Sequence, residues 1–274
     1  MKPIAITGAG GRMGRALVAA IAADSQVQLG AALVRPASRL VGLDAQVLGG
    51  AAPTGDEAQV GCTISSDLPG GIANSDCLID FTTPDACLAV LPLCVEAQCP
   101  MVIGTTGFSP DQLAEIDRAS AILPIVLAPN MSVGVNLALQ LIRLAAQALG
   151  DDADVEILEA HHRGKRDAPS GTAVRMGEVV AAATGRELDE VALYGRQGLS
   201  EPRDRKTIGF STVRAGDIVG EHTVLFATSG ERLEITHRAS SRHNFASGAV
   251  RAAKWLVSQR PLQPGRYDMG DVLG

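Results

Sequence analysis

The residues best suited to chemistry are concentrated in one run, Glu159-Ala160-His161-His162-Arg163-Gly164-Lys165-Arg166-Asp167-Ala168-Pro169-Ser170-Gly171-Thr172. Five potentially cationic side chains (His161, His162, Arg163, Lys165 and Arg166) lie within six residues. Ser170-Gly171-Thr172 then reads as a helix start, whose free N–H groups favour an anion. Cations beside helix N–H groups suit a small ligand carrying one or more carboxylates. His161 or Lys165 can also donate a proton to such a ligand. Three other readings compete. A metal site at His161-His162 lacks a Cys or acidic partner at a recognisable ligand spacing. A nucleic-acid contact lacks aromatic stacking residues. A solvated basic loop is the serious rival.

A second set of residues suits a dinucleotide. Gly8-Ala9-Gly10-Gly11-Arg12-Met13-Gly14 lies between a strand pattern and an amphipathic helix pattern. Glycines there let the chain turn sharply and bring backbone N–H groups against a pyrophosphate. The spacing is not strictly GxGxxG, because Gly14 falls one residue late. At the end of the second strand, where an NAD site usually has an acid, the chain has Val34-Arg35, which leans toward a 2′-phosphate and NADP, the alternative being that Arg35 is a solvated loop residue. Phe81-Thr82-Thr83-Pro84 and Gly104-Thr105-Thr106-Gly107 each follow a strand and either offer small donors to a ribose or nicotinamide or are ordinary βα loops. Ala128-Pro129-Asn130-Met131-Ser132 extends the same edge. Asn130 there either bonds a nicotinamide amide or caps the next segment.

These loops need a frame. The first half alternates strand and helix patterns. Strands are predicted over residues 3–7, 27–34, 77–80, 101–103 and 125–127. The first helix carries Met13, Ala16, Leu17, Ala20 and Ile21 on one face. Others open near Pro84 and at Ser109-Pro110, where Gln112 is placed to complete a capping box. Such alternation implies a parallel sheet with helices on both faces and ligands beyond the carboxyl ends of its strands. After Asn130 the pattern changes. Helices are predicted over 136–149, 172–183 and 247–258, and a strand over 154–160. Runs over 207–214, 218–226 and 232–239 read as an antiparallel meander with one apolar face, which needs a cover. Residues 195–206 read as a long surface loop. His222 and His237 fall on the packed face as core or interface residues, His243 has no assigned role, and Trp255 is helix packing.

The bulk properties exclude several function classes. The chain has 274 residues, 46% hydrophobic, and a net charge of −6. Without a long run of one sign, that charge argues against nucleic acid or an anionic membrane as partner. No secretory apolar region is expected at the N-terminus, and no uninterrupted apolar segment of membrane-spanning length. The five cysteines lack a CxxC pair and read as reduced thiols of a cytoplasmic protein.

The sequence resembles the 4-hydroxy-tetrahydrodipicolinate reductase (dihydrodipicolinate reductase) family of lysine and diaminopimelate synthesis, essentially end to end. The resemblance rests on GAGGRMG at Gly8 to Gly14, Asp80-Phe81-Thr82, VIGTTG at Val102 to Gly107, Asn130 and SVGVN at Ser132 to Asn136. It rests also on EAHHRGKRDAPSGT at Glu159 to Thr172, IGFSTVRAGDIVGEHT at Ile208 to Thr223, LEITHR at Leu233 to Arg238 and DMGDVL at Asp268 to Leu273. The EAHH…K.DAPSGT run is the most specific of these.

The resemblance implies an α/β fold. A Rossmann-like parallel-sheet nucleotide domain would take residues 1–132 and 241–274. An α+β domain with a mixed sheet, binding substrate and building a homotetramer, would take 133–240. It assigns catalysis to His161 and Lys165, and a small dicarboxylate to His162 and Gly171-Thr172, with Ser170 beside them. Around the cofactor it puts Gly8, Ala9, Gly10, Gly11, Arg12, Met13, Arg35, Gly104, Thr105, Thr106, Ala128, Pro129, Asn130 and Met131. NADPH is the expected cofactor, with NADH possible, and no metal is expected. The chain departs from relatives that carry an acid at Val34 or an arginine at Thr83, which makes the nucleotide preference modest. Gly164, Pro129 and Met131 also replace commoner residues. The rival functions are another Rossmann-type reductase of an amino-acid semialdehyde and a non-catalytic NADP(H) sensor.

Overall fold

The structure is a computed structural model that describes residues 1–48, 61–258 and 262–274. The chain divides into two compact units, Met1–Val133 with Arg242–Gly274, and Gly134–Ser241.

The first unit opens with β1 (Lys2–Thr7), the glycine loop, α1 (Arg12–Ala22) and β2 (Val27–Leu33). It continues through β3 (Ile64–Ser65), α2 (Leu68–Ala73), β4 (Cys77–Asp80), α3 (Pro84–Glu96), β5 (Met101–Ile103), α4 (Pro110–Ser120) and β6 (Pro124–Leu127). The chain then builds the second unit from α5 (Val133–Leu149), β7 (Asp154–His161), α6 (Gly171–Ala183) and α7 (Leu188–Val191). The strands β8 (Ala192–Tyr194), β9 (Ile208–Arg214), β10 (Gly220–Ala227) and β11 (Arg232–Ala239) complete it. The return to the first unit is α8 (His243–Ser258), β12 (Gly265–Tyr267) and α9 (Met269–Leu273).

In the first unit seven parallel strands run in the order β12-β6-β5-β4-β1-β2-β3. Parallel neighbours require crossover helices, and these cover both faces. One apolar layer joins Ile4, Ile6 and Ile79 of the sheet to Leu17 and Ile21 of α1 and Leu256 of α8. The other joins Ala5, Leu78 and Ile103 to Leu91 of α3 and Ile116 of α4. The predicted capping box of α4 is present, with Ser109 and Gln112 bonding reciprocally. The sequence pattern missed β3 and β12, which have two and three residues, too short for a periodic signal.

In the second unit the sheet order is β11-β10-β7-β9-β8. It is mixed, because β7 and β8 are parallel to β9 while β10 is antiparallel to β7 and β11. The meander expectation is therefore corrected. The hairpin β10–β11 exists, but β7 lies between β9 and β10. Residues 215–219 arch over the end of β7. Ala215 donates its N–H to the His161 carbonyl (2.9 Å), and Arg163 donates to the Gly216 carbonyl (3.2 Å). A turn signal between two strand patterns does not say whether a third strand fits between them. The apolar face of β10, with Val224 and Phe226, is also covered within the chain, packing on Ile142, Met176 and Val180 of α5 and α6. The opposite face exposes Leu158 of β7 and Val213 of β9.

By length and composition, the helix spanning Val133–Asp152 is apolar enough to cross a membrane, which the sequence reading did not anticipate. Arg143 interrupts it, and its buried Ile142, Ala145 and Ala146 belong to the core of the second unit. It is the core helix of an α+β layer, with Leu137, Leu141 and Leu144 exposed on its other side.

Candidate active site

The carboxyl edge of the first unit's sheet is organised by a buried carboxylate. Asp80, fully buried at the end of β4, accepts hydrogen bonds from the hydroxyls of Thr7 (2.5 Å), Thr82 (2.9 Å) and Thr105 (2.6 Å). Thr105 Oγ also accepts the Thr82 N–H at 2.8 Å. The ends of β1, β4 and β5 are thereby fixed to one another. Of the predicted cofactor residues, Thr105 thus has its hydroxyl engaged inside this clasp, while Thr106 is exposed.

Gly8, at φ +65°, starts the turn into α1, and Gly11 donates its N–H to the Gly8 carbonyl (2.9 Å). Ala9 is buried and bonds the Leu33 carbonyl, while Gly11 and Arg12 are exposed. Gly11 is the N-cap of α1 and supplies no side-chain acceptor, so the first turn of that helix suits an external anion. Gly14 has a separate purpose: a Cβ there would stand 2.3 Å from the Gly8 carbonyl oxygen and 2.5 Å from that of Ala9. The late glycine seats the helix against the loop, the packing duty of the last glycine in dinucleotide loops. Met13 packs partly on the core, and Gly10 lies against Leu40. A Cβ on Gly104 would fall 2.2 Å from the Phe81 ring, so glycine there admits the aromatic side chain.

Arg35 follows β2 and is exposed, with Val34 half-buried beside it. Ala128 and Met131 are buried, Pro129 is exposed, and Asn130 Oδ1 accepts the Ser132 N–H (2.9 Å). That bond turns the chain just ahead of α5. These residues fit a dinucleotide: an uncapped helix start, a glycine loop and a cation at the ribose end of β2.

The second unit carries the cationic run at the end of its central strand. Glu159 and His161 of β7 point to the core face. Glu159 stands opposite His222 of β10 and Thr212 of β9, and His161 stands opposite Arg214. Arg214 makes a two-pronged contact with the Glu159 carboxylate, each N–H···O distance being 2.8 Å. Glu159 also accepts the Ser170 N–H (3.1 Å) and lies 2.6 Å from His161 Nδ1. Burial pushes this carboxyl up, but the Arg214 guanidinium, His161 and the Ser170 amide outweigh it and hold it at about 2.

Lys165 pairs with Asp167 (2.8 Å), and that contact holds the Asp167 carboxyl below its usual range. His162 is half-buried next to Gly164. Ser170 is the N-cap of α6. Its hydroxyl accepts the Ala173 N–H and lies 2.8 Å from His222 Nε2. The expectation of a free N–H at Ser170 is corrected, since that amide is spent on Glu159. Gly171 and Thr172 carry the next two amides of the helix. Arg214 also holds the Asp167 carbonyl at 2.6 Å, which anchors the loop, while Arg163, Arg166 and Asp167 remain exposed.

Glu159, Arg214 and His222 were not singled out from sequence as site residues. Glu159 lay inside the quoted motif, but nothing in the spacing said that Arg214 and His222 would flank it.

Residues 2–131 match the family described as Dihydrodipicolinate reductase, N-terminus, and residues 134–273 the one described as Dihydrodipicolinate reductase, C-terminus. The chain belongs to the dihydrodipicolinate reductase family. A relative from Hahella chejuensis named 4-hydroxy-tetrahydrodipicolinate reductase is 56% identical over 274 residues, spanning 100% of this chain and 99% of its own. One of the same name from Alkalilimnicola ehrlichii is 54% identical over 271 residues, spanning 99% and 98%. The solved dipicolinate-bound dihydrodipicolinate reductase from Paenisporosarcina sp. TG-14 has the same fold, with a TM-score of 0.74 over 98% of this chain and 97% of its own, at 24% identity.

Within this reductase fold His222 is 5% exposed, and its edge meets the His161 ring, centroids 5.1 Å apart. Burial, then the charge of His161, push His222 from 6.5 down to about 4. The unfolded imidazole binds its proton near the ordinary value, so this group's stabilisation is fully present above 6.5 and is lost as pH falls through 4. The swing should be on the order of 3 kcal/mol. Urea midpoints measured from pH 7.5 down to 4.5 should fall steadily for the native chain and much less steeply for His222→Gln. Glu159, depressed from 4.5 to about 2, loses its contribution only below that window.

Proposed function

We propose that this chain reduces 4-hydroxy-tetrahydrodipicolinate, through its dehydrated form, to tetrahydrodipicolinate, with NAD(P)H as reductant, in lysine and diaminopimelate biosynthesis. The observation that carries this reading is the 56% identity to a reductase of that name through both units. Loss of NADPH absorbance with freshly generated substrate tests it. An inert protein that still binds NADPH would leave only a sensor.

The nicotinamide supplies a hydride when bound. In our reading Gly8 to Met13 hold the pyrophosphate with backbone N–H groups at the start of α1. Arg35 meets the 2′-phosphate end. Gly104, Thr105, Thr106 and Ala128 to Met131 form the rest of that edge, with Thr105 acting through the Asp80 clasp. The conjugated ring gains one hydride and one proton, and we assign the proton to His161 or Lys165. His162, Gly171 and Thr172 hold the carboxylates, and Ser170 contributes by capping the helix that presents these amides.

Lys165→Ala should lower kcat by on the order of 10²–10⁴-fold, and His161→Gln similarly. Their effects should be non-additive if both act on one transition state. His162→Ala should mainly raise KM for the substrate. NADPH affinity should survive all three, because the glycine loop belongs to the other unit. Turnover near wild type in folded Lys165→Ala would reduce the run to a basic loop.

Arg35 without an acid at Val34 favours NADPH, and Thr83 supplies no second cation, so the preference should be modest. Comparing kcat/KM for the two cofactors at equal ionic strength checks this, and a clear NADH preference would contradict it.

The sheet face that exposes Leu158 and Val213 supports a homo-oligomer, a tetramer in our reading. Light scattering at micromolar concentration should show it, and a stable monomer would refute it.

A further inference from the structure

We propose that Glu159 and Arg214 are a positioning pair that fixes the proton on Nδ1 of His161, leaving Nε2 as the nitrogen that exchanges a proton with the substrate. This inference rests on the reading of His161 given above and assigns which of its nitrogens works.

Hydrogen-bond capacity decides which nitrogen carries the proton. An ionised carboxylate only accepts, so His161 Nδ1, 2.6 Å from Glu159 Oε2, must carry its proton. Every other contact of the carboxylate is also a donor: both prongs of Arg214, the Ser170 amide and the Thr212 hydroxyl at 3.3 Å. Glu159 is therefore an acceptor to five donors and has no freedom to reverse its bond to the imidazole. Arg214 makes the ionised state tolerable at a residue only 2% exposed. The far nitrogen has been given room. A Cβ at Gly220 would stand 3.0 Å from His161 Nε2, and the chain has glycine at that place.

The same pair reaches the rest of the cationic run. Arg214 holds the Asp167 carbonyl, Asp167 pairs with Lys165, and Glu159 holds the amide that begins α6. One buried ion pair thus sets the ring orientation of His161 and the anchorage of the loop bearing Lys165.

Replacing Glu159 by glutamine separates positioning from bulk structure. The amide keeps the size but has one oxygen for five donors. With its oxygen toward Ser170, Thr212 and one Arg214 nitrogen, its NH₂ faces His161 and requires Nδ1 as an acceptor. The proton then moves to Nε2, and the imidazolium loses its anionic partner.

The first measurement needs no variant. ¹⁵N NMR of the native protein near neutral pH should show His161 protonated on Nδ1 whenever the ring is neutral. An Nε2–H tautomer would overturn the proposal outright. In Glu159→Gln the tautomer should reverse. The kcat should fall on the order of 10²-fold with NADPH affinity retained. The alkaline fall of kcat, where a general acid is lost, should move to lower pH. A folded Glu159→Gln with native tautomer, kcat and pH profile would also overturn it. If Glu159→Gln does not fold, the native tautomer alone decides. Failure here is distinguishable from failure of the catalytic reading, because in the latter case His161→Gln itself would turn over normally.

Discussion

A carboxylate in the middle of a sheet has to be neutralised where it stands, and Glu159 imposes that condition on the whole second unit. Removing one partner of such a buried pair typically costs about 3–5 kcal/mol, since the other charge is left without compensation. Arg214 can reach Glu159 only if β9 lies directly beside β7, in the register that sets Arg214 opposite His161. The other side of β7 must then be taken by β10, which brings His222 against Glu159. With β9 and β10 on either side of β7, the short link between them has to arch over the strand's end. That arch bonds the His161 carbonyl and the Arg163 amide, so the origin of the cationic run is held by backbone as well as by charge.

The first unit solves a related problem with no cation paired to its carboxylate among the described residues. Asp80 is as buried as Glu159, and its hydrogen bonds come from threonine hydroxyls and the Thr82 amide. Each threonine belongs to a different strand end or loop, so satisfying the carboxylate draws β1, β4 and β5 to a common level. A guanidinium at that place would fill the edge beside the glycine loop. Small hydroxyl donors satisfy the charge in little volume and leave the surrounding backbone accessible. The difference matches what each edge presents: open amides and glycines in the first unit, a dense set of cations in the second.

Much of this was legible in the sequence because it depends on local pattern. The glycine loop, the period of α1 and the capping box at Ser109 are all set by residues within a few positions of one another. The run at Glu159 to Thr172 was likewise recognisable, whereas the mixed second sheet was implied only by the family resemblance. Pairings between distant segments were not legible. Arg214 is 55 positions from Glu159 and His222 is 52 from Ser170, and their patterns say only which face each occupies. His222 was read as a packed core histidine, and buried it is, yet its neighbours are Ser170 and His161. The meander failed for the same reason. Alternation and turns describe β9, β10 and β11 one at a time, while the insertion of β7 follows from a buried ion pair that no window of sequence contains.

Register is the point at which these distant residues become one site. Side chains alternate faces along a strand, so a slip of one residue in the β7–β9 pairing would turn Arg214 away from the core. Glu159 would then be buried without its guanidinium, and the Asp167 carbonyl would lose its anchor. A slip of one residue in β10 would put Glu221 where Gly220 gives His161 its space. Neither alternative leaves the carboxylate compensated or the ring accommodated. The polar row at the end of this sheet therefore selects the pairing that the apolar rows beneath it, Ile157, Phe210 and Val224, also favour through burial. The electrostatic demand of one glutamate and the packing demand of the core agree on a single alignment, and that agreement gives the cationic loop a defined place from which to act.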